Sequence, residues 1–407
     1  MDQNTLTKTL DSISGEIPDR LFGVERQAHI GELVEGRSEE LRSTLREGFD
    51  GFLTEMVHMD ASDIDLGGSG SAGRVWYRVH GVKRPNQDVG PFTLDQMDLL
   101  IQSILLEKQR EVLLKNRNLD FSYTTSLNGN SVRLRADIYF DLDHLALNMR
   151  LIASEIRAFT GLDLHPNVAR SLSLMHVKQG LTVVTGITGS GKSSTLDSII
   201  DANNRTVDAH IIIIGAPIET VHESQRCIVR HREVGRDVPS FKDGAIQALR
   251  QDPDIVVIGE MRDPETIMTS LEITDSGHRV FSTLHTASAV ESIDRVIGEC
   301  PPVEQERVRM RLADVLTCVL SQKLVPSLDG KRALAKEVMM ATSSVRAAIR
   351  NNNTSEIYQM INEGSEEGMI TMEQDLLRLF KERKISQGEA INYANNKKRM
   401  SDLLEAV

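Results

Sequence analysis

Nine residues near the middle of the chain, GITGSGKSS (186–194), have the types and spacing to hold a polyphosphate. Gly186, Gly191, Lys192 and Ser193 satisfy the pattern GxxxxGK[ST]. Glycines let backbone N–H groups close around phosphate oxygens, and the helix that follows aims its positive end at them. Lys192 brings a point charge to the β- and γ-phosphates, and the Ser193 hydroxyl completes the shell of a Mg²⁺ ion. Ile187, Thr188, Gly189 and Ser190 fill the loop, and Ser194 opens the helix. Chance would give this pattern in roughly one or two chains in a hundred of this size. Here it also follows the strand-like run LTVVT and precedes a helical stretch, so the run is assigned to a nucleoside triphosphate.

Two further apolar runs end in candidate chemistry. DIVVIGE (254–260) is strand-like, and its next polar residue is Glu260. In a parallel sheet, ligands bind beyond the carboxyl ends of the strands. Glu260 would therefore emerge beside Lys192, able to orient a water or hold the metal's water shell. The bland alternative is a carboxylate that caps the next turn. GHRVFSTLHT puts His278 before a strand and His285 near its end. His285 falls at the carboxyl edge, where it can sense a γ-phosphate, while His278 is as well explained as a core histidine. IIIIGAPIE (211–219) ends in Gly215 and Ala216, which carry no chemistry, and its first carboxylate is Glu219.

These residues need a scaffold, and the chain has one. GLTVVTG, HIIIIG, DIVVIGE and RVFSTLHT are strand-length apolar runs separated by helical spacing, and Asp263, Pro264 and Gly277 mark a helix start and stop. Strands apolar on both faces and alternating with helices imply a parallel sheet covered on two sides, an α/β fold. From about residue 300 onward the pattern predicts helices, with short gaps such as SLDGK. Upstream, RVWYRVHG (74–81) alternates like a strand, TLDQMDLLIQSILLEKQREVL begins with a Thr93–Gln96 capping box, and NGN (128–130) predicts a hairpin. The expected organisation is a polar extension without a core (1–52), a small α/β domain (53–157), a linker (158–167) and the phosphate-loop domain (168–407).

The totals restrict function. A net charge of −12 over 407 residues argues against a nucleic-acid binder, since a duplex repels an acidic surface unless a local basic patch outweighs it, and NNKKRM (395–400) is expected to be the wet face of a helix. Cys227, Cys300 and Cys318 lie far apart without a CxxC pair, which excludes the usual zinc spacings and fits buried thiols in a reducing compartment. No run approaches 18 uninterrupted apolar residues and MDQNTLTKTLDS is no signal peptide, so a cytoplasmic protein without direct membrane insertion is expected.

GITGSGKSS, RQDPDIVVIGEMRDPET and DSGHRVFSTLHTASAVESIDRVI together resemble the secretion and type IV pilus ATPase superfamily, in its pilus-retraction branch. ASDIDL (61–66) and HREVGRD (231–237) resemble further signatures of that branch, and coverage runs from about residue 53 to about 395. The resemblance implies a PAS-like N-terminal domain, a RecA-like ATPase domain with a helical C-terminal part, and a homo-hexameric ring. It implies ATP and Mg²⁺ between the two domains, with Ser193 and Glu260 at the metal, Glu219 activating water, and Glu260, His285 and His278 as the other catalytic candidates. Arg135 and Arg150 are the candidates for reaching the phosphates, and Asp143 stands where the family places another arginine.

The implied activity is an ATPase motor that retracts type IV pili and drives twitching, acting on an inner-membrane platform protein from the cytoplasmic side. The four-cysteine zinc site and longer N-terminal region of the extension ATPases have no counterpart here. The family strand ends Glu-Asp-Pro-Ile-Glu where this chain has Gly215, Ala216, Pro217, Ile218 and Glu219, so two acids are gone. Their loss lets Glu219 deprotonate more easily but is expected to loosen the turn that aims it, giving a slow, competent ATPase. SSVRAAIRNNN matches the retraction-branch motif AIRNLIRE only at Arg346, Ile349 and Arg350. This supports an alternative, a weakly hydrolysing accessory subunit that works with a paralogous retraction ATPase.

Overall fold

The computed structural model describes residues 3–127, 129–152 and 155–406, which divide into two compact units, Met1–Ser154 and Glu155–Val407. In the first, residues expected to be a coreless extension are three helices, α1 (Gln3–Ser14), α2 (Gly23–Glu35) and α3 (Glu39–His58). Leu45, Phe49, Leu53 and Met56 recur at helical spacing along α3 and are fully buried, in one core with Leu6, Leu10, Ile30 and Val34. The polar composition of this segment is its outer face; the apolar period specifies the inner one. The boundary expected at residue 52 is therefore not a boundary of the fold.

These helices pack on an antiparallel sheet built from β1 (Ala61–Gly67), β2 (Trp76–Val79), β3 (Val82–Pro85), β4 (Asn118–Leu127), β5 (Asn130–Asp141) and β6 (His144–Leu151), in the order β3-β2-β1-β6-β5-β4. Phe49 meets Tyr123 edge to face at 5.9 Å between ring centroids. Asp50 accepts hydrogen bonds from Tyr123 Oη at 3.0 Å and Thr125 Oγ1 at 2.8 Å. The expected capping box is present, Thr93 and Gln96 each bonding the other's backbone, but the single helical pattern divides into α4 (Leu94–Ser103) and α5 (Glu107–Asn116). The hairpin joins β4 to β5 with Leu127 opposite Asn130; Asn128 lies outside the described residues.

The second unit begins at Glu155, and the expected linker already belongs to it: Leu162 is buried in its core and α6 spans Pro166–Ser171. Its sheet contains β7 (Gly180–Thr185), β8 (His210–Gly215), β9 (Ile228–Glu233), β10 (Ile255–Ile258), β11 (Arg279–Leu284), β12 (Leu316–Pro326) and β13 (Arg332–Met340), in the order β13-β12-β7-β11-β10-β8-β9. All pairings are parallel except β12 with β13. Alternate residues supply two cores. Leu181, Val183, Ile212, Ile214, Val256 and Ile258 face one side, and Val184, Ile211, Ile213, Ile255, Val257 and Phe281 the other.

Between the strands run α7 (Lys192–Thr206), α8 (Phe241–Ala248), α9 (Pro264–Asp275), α10 (Ala289–Gly298) and α11 (Gln305–Val315). Asp263 caps α9 by accepting from Thr266 N at 2.8 Å, with Pro264 in the first turn, and Gly277 follows its end at φ +102°. The hairpin β12–β13 corrects the expectation of helices alone beyond residue 300. SLDGK is its turn, and Gly330 takes φ +78° there. Helices do follow: α12 (Ser343–Arg350), α13 (Ile357–Glu363), α14 (Met372–Lys381), α15 (Gln387–Tyr393) and α16 (Lys397–Glu405). The last three share a small core with Val325 and Ala335, and Lys397 and Lys398 face solvent. The three cysteines are buried free thiols, and among the described residues no helix is long and apolar enough to cross a membrane.

Because Phe49 is fully buried in the first unit's core, Phe49→Ala should cost that unit about 3 to 5 kcal/mol in urea unfolding. A cost below about 0.5 kcal/mol, as for an exposed position, would show that these helices are not part of its core.

Candidate functional site

Parallel register decides what gathers at one edge of the second sheet. Thr185 pairs with Leu284, Ser282 with Ile258, and Ile258 with Ile214, so β7, β11, β10 and β8 end side by side. The residues that follow them are the 186–194 loop, His285, Glu260 and Glu219.

The loop is shaped by close approach. Gly186 has φ +151°, and a Cβ there would lie 2.3 Å from Ser190 Oγ and 2.6 Å from the Gln322 carbonyl oxygen, so the position admits no side chain. Gly191, at φ +89°, precedes α7 at its N-cap. Gln322 on β12 fastens the loop by donating from Nε2 to Ser190 O at 2.7 Å. Ile187, Thr188, Gly189, Ser193 and Ser194 are exposed, whereas Ser190 is buried and its hydroxyl has no hydrogen-bond partner among the described residues. An exposed loop at the amino end of a 15-residue helix presents N–H groups and a positive dipole end to an anion.

Lys192 is only 9% exposed. Its Nζ donates to Gly186 O at 2.8 Å and Ile187 O at 3.2 Å, and lies 3.5 Å from His285 Nδ1. Burial pulls its pKa below the usual lysine value, and the charges of Glu260 and Glu219 push back. Both carboxylates therefore bear on the same ammonium. Glu260 Oε1 lies 2.7 Å from Arg262 Nε and 3.1 Å from His285 Nε2. The N-cap of the next helix is Asp263, not Glu260. Burial first, then Lys192, lowers the His285 pKa below 6.5. A neutral ring with its proton on Nε2 satisfies both contacts, accepting from Lys192 at Nδ1 and donating to Glu260.

Glu219 is half-buried in the segment after β8. The turn before it is held where a loosened one was expected: Ile218 is buried, and its N–H donates to Glu233 Oε2 on β9 at 3.1 Å. A Cβ at Gly215 would stand 2.7 Å from Ile218 Cδ1, so the small residue there leaves room for that packing.

The structure does not bring His278 to this edge. It sits at the opposite end of β11, its Nδ1 2.9 Å from Ser276 Oγ, and six strand residues at about 3.3 Å each separate it from His285. A residue before a parallel strand is delivered to the amino edge, away from the loop. Arg135 and Arg150 lie on β5 and β6 of the first unit, paired with Asp120 and Asp63 at 2.5 and 2.8 Å. Asp143 occupies the tight β5–β6 turn at φ +73°. A cavity of about 390 Å³ lies elsewhere, among Leu162, Lys331, Lys336 and Arg378; the convergence of charged groups, not this hollow, defines the site.

Sequence reasoning missed Gln322, Glu233 and Glu337, whose contacts with the edge span long stretches of chain. Glu337 on β13 accepts from Ala289 N at 2.8 Å, holding the start of α10 four residues after His285. Only the HREVGRD signature, which contains Glu233, flagged one of them.

Loop, lysine and flanking carboxylates on a RecA-like sheet define a phosphate-loop nucleotide-binding protein. The family model described as "Type II/IV secretion system protein" matches residues 39–401, and the chain belongs to that family. It is 38% identical over 332 residues to the "Type IV pilus retractation ATPase PilT" of Pseudomonas aeruginosa, covering 81% of this chain and 93% of that protein. It is 31% identical over 350 residues to the "Type IV pilus ATPase PilU" of the same organism, covering 86% and 89%. The crystal structure of the pilus retraction motor PilT with bound ADP matches it with a TM-score of 0.77 at 36% identity, covering 86% of this chain and 98% of that one.

Burial raises the Glu337 carboxyl from 4.5 to about 7. A raised carboxyl binds its proton more tightly when folded, so its contribution to stability is complete below about pH 4.5 and lost as pH rises through about 7. Glu337→Gln keeps the bond to Ala289 N and should flatten that loss, which is at most about 3 kcal/mol. Urea unfolding of the second unit across this range checks it; an unchanged slope would contradict the assignment.

Proposed function

We propose that the protein is an ATP-hydrolysing motor of the pilus-retraction type, working as a homo-hexamer in the cytoplasm against an inner-membrane platform protein. The observation that carries this reading is the convergence of Lys192, His285 and Glu260 on the phosphate loop, with Glu219 acting on the same lysine, in a member of this family. ATP phosphates would draw the Lys192 ammonium away from the Gly186 and Ile187 carbonyls. His285 touches both Lys192 and Glu260, so that exchange reaches the carboxylate through one ring. Glu219 takes the proton of the attacking water, and Glu260, steadied by Arg262 and His285, orients it.

The oxygen donors available suit Mg²⁺: the exposed Ser193 hydroxyl and, through water, Glu260 would hold it, and it would neutralise phosphate charge. Partners are other copies of this chain and the platform protein; the acidic balance argues against nucleic acid.

One observation favours a second reading, an accessory subunit with weak turnover: Gly215 and Ala216 stand where the resembling family has acids. Such a subunit would turn over slowly alone and raise turnover when mixed with a paralogous retraction ATPase.

Glu260→Ala should keep ATP binding while turnover falls about 10²- to 10⁴-fold; hydrolysis at the unaltered rate would overturn the assignment. In cells, deletion should leave excess non-retracting surface pili, whereas loss of all pili would point to assembly instead.

A further inference from the structure

Glu219 sits on a stretch, 217–224, that is neither helix nor strand. Its aim depends on what holds the residues around it. On one side Ile218 N donates to Glu233 Oε2 of β9 at 3.1 Å. On the other, His222 N donates to His231 Nε2, also on β9, at 3.0 Å, and the two imidazoles lie nearly parallel, 6.1 Å between centroids. Those contacts fix the segment to its own strand neighbour. A different contact fixes it to the phosphate loop's helix. Asp197 on α7 accepts from Thr220 Oγ1 at 2.7 Å through Oδ2, and its Oδ1 lies 3.0 Å from Nε2 of the buried His222.

We infer that Asp197 is a positioning residue for hydrolysis, registering Glu219 against the phosphates. Asp197 is four residues beyond Ser193, one turn along the helix whose first turn carries Lys192 and Ser193. A helix of 15 residues moves as a rod, so whatever places the phosphates also places this carboxylate. Its two oxygens grip residues one and three positions after Glu219, and an acceptor-only carboxylate is suited to take a hydroxyl and an imidazole N–H together. A loop carboxylate displaced by about 1 Å can lose on the order of a hundredfold in rate. This inference rests on the proposed role of Glu219 in ATP hydrolysis.

The test is steady-state ATP hydrolysis by the full-length protein, with ATP binding by calorimetry as the control for folding. Asp197→Ala should lower kcat by roughly ten- to a hundredfold and leave KM for ATP within about twofold, because the loop and Lys192 are untouched. Asp197→Asn offers Oδ1 to the His222 N–H and Nδ2 to the Thr220 hydroxyl, and should restore most of kcat. Thr220→Val, which removes one of the two bonds at nearly constant volume, should lose less than Asp197→Ala; it covers the case in which the alanine variant does not fold. Amide exchange at 218–222 should also quicken in Asp197→Ala. An unchanged kcat in Asp197→Ala, or an asparagine variant as slow as the alanine one, overturns the positioning role alone. Wild-type protein that binds ATP without hydrolysing it overturns the parent reading, and this one with it.

Discussion

An ammonium group held nearly out of water, with two carboxylates within electrostatic reach, is the interaction on which the rest of this structure depends. Lys192 loses hydration on entering the loop, and two backbone carbonyls and the charges of Glu260 and Glu219 compensate. Such an arrangement is stable and also poised. A polyanion is a better partner for a buried ammonium than two carbonyl oxygens, since charge-assisted bonds are about twice as strong as neutral ones. The site's electrostatics thus favour exchange with phosphate before any chemistry begins.

The scaffold's part is to bring four separate segments to that ammonium. It does so by register alone: each parallel strand adds one element to the same edge, and the order β7-β11-β10-β8 sets loop, His285, Glu260 and Glu219 in sequence across it. Gly186 and Gly259 allow the approach. A Cβ on the first would meet Ser190, and one on the second would stand 3.1 Å from the Ile214 carbonyl oxygen. The shared direction of the strands also explains what is left out. His278 precedes its strand and so belongs to the other edge, against Ser276 and the Ile273 carbonyl.

Much of this was legible in the sequence because it is written in local pattern. Four apolar runs gave β7, β8, β10 and β11, though not their parallel neighbours β9 and β12; the loop motif gave the anion site, and Asp263, Pro264 and Gly277 bounded a helix in place. What stayed hidden was either amphipathic or long-range. Residues 3–58 look polar by composition, yet Leu45, Phe49, Leu53 and Met56 form one buried stripe. The β12–β13 hairpin lacks the clear alternation of an exposed strand because β12 is buried along most of its length. Gln322, Glu233, Glu337 and Asp197 act on segments that are 15 to 132 residues away, and no local pattern announces a single hydrogen bond across such a span. The Gly215–Ala216 pair shows the limit most clearly. Two missing acids imply a loosened turn, and side chains from β9 and α7 hold it.

Calorimetry with Mg²⁺ and ATP tests the central claim most directly, since every later step presumes that the loop and Lys192 hold a triphosphate. Wild-type protein should take up ATP, and Lys192→Ala should bind it at least about tenfold more weakly, the loss of one charge-assisted contact. No uptake by the wild type, or equal affinity in the variant, would contradict the account.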